Sequence, residues 1–241
     1  MSPIFPYSHG HSLPRQRGFS LLELSVVLIV IGLLLGAVAV GRDLQRSAAN
    51  QRLSTDFIQG WQLAYEGYFN GVGHPPGDNP TAPTGRVNGN AAPGSELCDT
   101  ELINYFLAAG IRLPTGRTEG QQNRAVYLDS NGNPQEVRVC FQSTQWAEPG
   151  AEVATYEARN RNVMVLQGVT FSLVAALDQQ IDGKSDARFG RLRDRSLADS
   201  VAPGTAQVWP INDSMAWGSS VSTALDESQV AVTTALFQMM R

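Results

Sequence analysis

Gly18-Phe19-Ser20-Leu21-Leu22-Glu23-Leu24 opens an apolar run that continues to Val40. Arg15 and Arg17 stand just before it, and from Leu24 to Val40 every residue is apolar, Ser or Gly. A run of this length crosses a bilayer as one helix. Glu23 is its one acidic residue. A charge at the centre of a membrane helix costs roughly 2.5–3.5 kcal/mol on insertion scales, and less near an end. A carboxylate kept at such a position calls for a partner.

These residues resemble the type IV prepilin signature: a basic leader ending in glycine, then a phenylalanine, a glutamate four residues later and an apolar run. Gly18, Phe19 and Glu23 stand in register with it. The resemblance implies cleavage after Gly18 by prepilin peptidase and N-methylation of Phe19. It also implies that Glu23 pairs with the N-terminal amine of a neighbouring subunit in a filament. It is strong over residues 15–41, weaker to Asp78 and faint beyond.

Residues 1–18 read as a leader, rich in proline and without helical period, to be kept out of fold reasoning. Its arginines hold the N-terminus in the cytoplasm by the positive-inside rule. Residues 19–41 are expected as the transmembrane or filament-core helix. Gly32 and Gly36 make a small-xxx-small pair, which either permits close helix approach or reflects the frequency of glycine in such helices. Many pilins carry a proline near the end of this segment; here the region reads Ala37-Val38-Ala39-Val40-Gly41.

Beyond Arg42 the composition turns polar but the period persists. Leu53, Phe57, Trp61, Ala64 and Tyr68 recur at spacings of three and four, one apolar stripe on a polar helix. No proline interrupts residues 19–70. A continuous helix of ~50 residues would be ~75 Å long, resembling the spine helix of pilins. It must stop in Gly71-Val72-Gly73-His74-Pro75-Pro76-Gly77-Asp78, and Pro76-Gly77-Asp78 looks like the turn that follows the spine in many pilin-like proteins.

Residues 71–241 are expected as a globular domain. After a surface loop at 79–95, Asp99 or Thr100 is placed to cap a helix over Glu101–Ala109, with Leu102, Tyr105, Phe106 and Ala109 buried and Gly110 as its stop. Strands are expected at 124–128 and 136–142, joined as a hairpin by Asp129-Ser130-Asn131-Gly132-Asn133-Pro134. A third strand is expected at Val163–Leu166. A helix over Phe171–Ile181 follows from Leu173, Leu177 and Ile181. Residues 182–204 read as loop and Gln207–Ile211 as an edge strand. Val221–Met240 carries both helical and strand patterns. The fold class is α+β: a long N-terminal spine helix, its first half transmembrane, packed on a small antiparallel-sheet domain.

The chain has 241 residues, 42% hydrophobic and 17% charged, with net charge −4. Loss of Arg15 and Arg17 with a leader makes it more acidic, so nucleic acid is not a favoured partner. The chain has two cysteines, Cys98 and Cys140. On an extracytoplasmic side they read as a disulfide, with two buried free thiols as the alternative.

Catalytic chemistry finds little support. His9 and His11 lie in the leader, which leaves His74 beside two prolines, and no phosphate-binding glycine loop, Gly-x-Ser-x-Gly or Cys-x-x-Cys occurs. No cofactor is expected. Asp178, Asp182 and Asp186 are the one acidic cluster with oxygen ligands to offer calcium, but Lys184, Arg188, Arg191 and Arg193 intervene or follow, and a turn or salt bridges account for it better. With Arg195 these arginines form a basic patch, read as a solvated loop.

The reading is a structural subunit of a type IV pilus or pilus-like filament, not an enzyme. Its partners would be other pilin subunits, prepilin peptidase and the inner membrane. It would begin as a single-pass inner-membrane protein with a cytoplasmic N-terminus and a periplasmic domain, and end in an extracellular or periplasmic filament. A secretion-system pseudopilin stays open within this class. The rival from another class is a secreted binding domain behind an ordinary signal peptide cut after Ala37-Val38-Ala39, although the apolar run is long for one and contains Glu23.

Overall fold

A computed structural model describes residues 18–210, 213 and 230–240, without side chains at 39, 42 and 43. Residues up to 17 of the expected leader, and residues 221–229, lie outside the described residues. Two compact units divide the chain, residues up to Gln45 and residues 46–241.

The first unit holds the start of helix α1, Leu21–Arg52. Ser20 begins it: its carbonyl accepts the Leu24 N–H at 3.1 Å and its hydroxyl accepts the Leu22 N–H at 3.3 Å. This is the N-cap role that serine fills well, because the first N–H groups of a helix have no partner within it.

In the second unit helical hydrogen bonding continues without a break into a π-helical segment, Leu53–Ile58, and then helix α2, Gln59–Val72. The stripe residues Leu53, Phe57, Trp61, Ala64 and Tyr68 are all buried. Ser54, Ile58 and Tyr65 are buried with them, although a regular helix would turn them further outward. The wider π turn carries one more residue than an α turn and so brings two adjacent pairs, Leu53/Ser54 and Phe57/Ile58, onto the packed face. Ser54 Oγ then donates to Gln180 Oε1 at 2.7 Å. Helix α2 ends at Gly73, whose φ of +89° is left-handed and whose N–H returns to the Phe69 carbonyl at 2.8 Å.

Five antiparallel strands form one sheet in the order β1-β2-β3-β5-β4. They are β1 Arg124–Leu128, β2 Pro134–Pro149, β3 Tyr156–Thr170, β4 Leu192–Asp194 and β5 Val232–Gln238. Helix α3, Asp99–Ala108, and helix α4, Phe171–Asp182, complete the fold. The main core holds the inward side chains of the helices and one sheet face. At its centre Trp61 meets Phe106 edge-on at 5.5 Å, and Tyr65 stacks on Phe141 at 5.1 Å. Such pairs add roughly 0.5–1.5 kcal/mol beyond area burial. A smaller cluster of Cys140, Trp146, Val163, Val165, Ala198 and Leu236 packs separately. Trp146 and Trp209 are both core residues.

The α+β class and the antiparallel sheet stand as expected, as does the 124–128 hairpin strand, which pairs Arg124 with Arg138 and Leu128 with Pro134. Several details differ. Strand β2 runs on to Pro149 and β3 starts at Tyr156, so their ladder is far longer than the apolar segments alone suggest. Neither Asp99 nor Thr100 caps α3. Cys98 holds the N-cap position without a side-chain bond, and Asp99 turns its carboxylate to Asn123, Arg124 and Arg138 instead. Ile103 takes the buried place expected of Ala109, which is exposed.

Residues 182–204 are not all loop, because Leu192–Asp194 pairs with Phe237, Leu236 and Ala235. Gln207–Pro210 is not a strand, and Ile211 lies outside the described residues. The Gln207 N–H is taken by Asp186 Oδ1 and its carbonyl by the Ala187 N–H, so the segment is anchored to a turn rather than to a ladder. The last segment resolves as strand over Val232–Gln238.

Candidate functional site

Gly18, Phe19 and Ser20 precede the helix, and Phe19 is 77% exposed. The Gly18–Phe19 bond therefore lies in non-helical, open chain. An added Cβ at Gly18 would meet nothing within 4 Å. Glu23 sits in the first turn of α1, where a carboxylate also complements the positive end of the helix dipole. It lies about one turn beyond Phe19.

From Leu21 to Val38 the helix has mean hydropathy 2.7, with none of this stretch buried. Its 18 residues rise about 27 Å, close to the hydrocarbon thickness of a bilayer. Leucines, isoleucines and valines face outward all round the helix, for example Leu21, Leu28, Ile29 and Leu35 at more than 60% exposed. An exposed apolar surface of this extent marks a membrane or protein contact. Gly32 and Gly36 are both open, with nothing within 4 Å of an added Cβ.

Residues 13–39 match the family model described as the prokaryotic N-terminal methylation motif. The chain carries a prepilin-type N-terminal segment. The match spans Gly18, Phe19 and Glu23, the residues whose register first suggested it. No curated protein and no solved structure matches the chain significantly. The motif marks a segment of the kind that prepilin peptidase processes and that anchors a pilin-like or pseudopilin protein in the membrane before assembly. Proteins of this type are typically non-enzymatic.

Away from this segment, Cys98 and Cys140 are joined by a disulfide, with Cα atoms 4.6 Å apart. The bond ties the start of α3 to the middle of β2. The adjacent Leu97 and Phe141 exchange backbone hydrogen bonds of 2.7 and 3.0 Å beside it. Among the described residues, the side chains whose metal-ligand atoms gather closely are Glu96, Cys98 and Cys140, and both sulfurs there are committed to the disulfide.

Asp178, Asp182 and Asp186 each commit an oxygen to N–H donors. Asp178 Oδ2 accepts from the Asp186 N–H and from Trp209 Nε1 at 2.6 and 3.0 Å. Asp182 Oδ2 accepts from the N–H groups of Arg191 and Leu192 at 2.6 and 3.0 Å. Asp186 Oδ1 accepts from those of Arg188 and Gln207 at 3.0 and 3.1 Å. The cluster folds the turn after α4, and among the described residues none of the three forms a salt bridge.

The arginine patch is not a solvated loop. Arg188 and Arg193 are buried. Arg193 lies over the Trp146 ring at 4.2 Å and donates to the carbonyls of Ala147 and Gly190 at 2.7 and 2.9 Å. Burial pushes its guanidinium down to about 10. Arg188 donates to the Ala202 carbonyl. Runs of alternating Arg and Asp read alike whether exposed or folded onto aromatic faces, so no local signal marks this difference.

Proposed function

We propose that the chain is a structural subunit of a type IV pilus or pilus-like filament, a group that includes secretion pseudopili. It is inserted as a single-pass inner-membrane protein with its N-terminus in the cytoplasm and residues 46–241 in the periplasm. Prepilin peptidase cuts after Gly18, and assembly follows through the apolar helix. The observation that carries this reading is one helix, exposed throughout Leu21–Val38 and apolar there but for Glu23 and Ser25, with that carboxylate in its first turn behind Gly18–Phe19. Moving such a surface from lipid to neighbouring helices changes its surroundings little, so packing and a few polar pairs decide the arrangement.

Glu23 supplies that polar pair. Cleavage leaves Phe19 with a free amine, and an unpaired carboxylate is costly in an apolar medium. Pairing Glu23 of one subunit with the Phe19 amine of its neighbour satisfies both charges and sets axial register along an otherwise uniform helix. Glu23→Gln keeps the size and removes the charge. In a strain carrying this as the sole copy, membrane insertion and processing remain normal and the variant is poorly incorporated into filaments. Wild-type filament yield from that strain would contradict the pairing.

A further inference from the structure

Strands β2 and β3 pair from Arg138↔Gln167 to Pro149↔Tyr156, but β5 covers β3 only from Val163 to Thr170. The last bond across that side is Met239 N–H to the Asn162 carbonyl at 2.9 Å. The stretch from Tyr156 to Arg161 therefore has β2 on one side and, among the described residues, no strand on the other. The far side of this two-stranded arm is closed differently: the Ala147 N–H of β2 donates to the Ala198 carbonyl at 2.8 Å. Glu157, Ala158, Arg159 and Asn160 are all exposed.

Backbone groups alternate sides along a strand. Since Asn162 turns its carbonyl toward β5, Tyr156, Ala158 and Asn160 turn their N–H and C=O groups toward the open side. An edge without a neighbouring strand is a template for another strand, and proteins commonly blunt it with charged side chains. Here the two charges are opposite in sign. Glu157 and Arg159 stand on either side of Ala158, on the same face, with Arg159 Nη2 3.2 Å from Glu157 Oε2.

We propose that residues 46–241 self-associate through this edge of β3, with a second copy of the chain adding its own β3 antiparallel about a two-fold axis at Ala158. In that register Tyr156 faces Asn160 of the copy, and each Ala158 exchanges N–H and C=O bonds with the other. Each Glu157 stands opposite the copy's Arg159. Those two positions fall at non-hydrogen-bonded pairs, where opposed side chains approach most closely and opposite charges favour pairing. Ala158 at the centre brings no bulk. The charges that would repel in a uniformly charged edge become complementary under the two-fold. The contact needs nothing from the N-terminal helix and stands apart from the filament reading.

The test is cysteine crosslinking of the full-length chain in detergent micelles, with the native cysteines held as their disulfide. Ala158→Cys treated with the short crosslinker o-phenylenedimaleimide gives a covalent dimer. Val153→Cys, 99% exposed in the turn between β2 and β3, does not. Adding Glu157→Arg to Ala158→Cys, or adding Arg159→Glu, brings the dimer down to the Val153→Cys level, because like charges then face each other. The double reversal Glu157→Arg/Arg159→Glu restores it, which also shows that the variants fold. No dimer from Ala158→Cys overturns the proposal. So does a dimer indifferent to either single reversal, or one that the double reversal fails to restore.

Discussion

The indole N–H of Trp209 donates to Asp178 Oδ2 at 3.0 Å, joining a segment beyond β4 to the C-terminal half of α4. Both residues are buried, and the second oxygen, Asp178 Oδ1, has no hydrogen-bond partner among the described residues.

Burial pushes the Asp178 carboxyl up to about 7, although the Asp186 and Trp209 N–H groups pull it down, and the nearby Asp182 carboxylate adds to the rise. In the unfolded chain an aspartate titrates near ~3.9. The folded state holds this proton more tightly. Its contribution to stability is full below about pH 4, declines as pH rises, and is gone above about pH 7. Asp78, Asp99 and Asp129 do not blur this window. Burial pushes each up, but hydrogen bonds outweigh it and hold their carboxyls below the ordinary range. The urea midpoint of the wild type should therefore be lower near pH 8 than near pH 5.5. Asp178→Asn, which presents one oxygen and one N–H like the protonated acid, should flatten the difference. Equal wild-type midpoints would contradict the assignment.

Tyr127 bridges a bulge in β3. Its hydroxyl donates to the Gly168 carbonyl at 2.8 Å and accepts the Thr170 N–H at 2.9 Å. The bulge lies between Gln167 and Val169, where Gly168 has φ +78° and an added Cβ would come within 2.4 Å of the Glu136 carbonyl oxygen. Tyr127→Phe leaves a buried N–H without its acceptor, which costs about 1–3 kcal/mol. Gly168→Ala should cost more, since it meets both the left-handed backbone and the close carbonyl. Chemical denaturation orders the two variants, and Gly168→Ala at wild-type stability would refute the account of the bulge.

The Cys98–Cys140 bond closes a loop across a sequence separation of 42. In the chain-entropy model such a loop is worth about 4 kcal/mol. Replacing both cysteines by alanine should lower stability by that order while the wild type shows one linked peptide in non-reducing mapping. Quantitative alkylation of both thiols in unreduced, denatured protein would rule out the bridge.

What the sequence made legible follows from periodicity. Leu53 to Tyr68 and Leu173 to Ile181 each bury one face of a helix, so their spacing announces them. The hairpin at Asp129–Pro134 announces itself through turn residues, with Asp129 Oδ1 accepting the N–H groups of Asn131 and Asn133. The missed parts have no period to read. The Tyr156–Arg161 half of β3 shows no apolar alternation because it borders solvent, and the three residues of β4 are too few for a pattern. Asp213 buries its carboxylate against the N–H and hydroxyl of Ser172 at the start of α4, a cap supplied from far along the chain. No local motif can signal a bond between residues so distant in sequence. The π turn at Leu53–Ile58 is likewise invisible, since its residues also fit an ordinary helix.

The identity of the mature N-terminus tests the central claim most directly. The proposed processing predicts a mature chain that begins at N-methylated Phe19 and keeps the whole apolar helix. N-terminal mass spectrometry of the protein purified from its native membrane should find that residue. A mature chain beginning at Val40 would mean an ordinary signal peptide, and the filament account would fall with it.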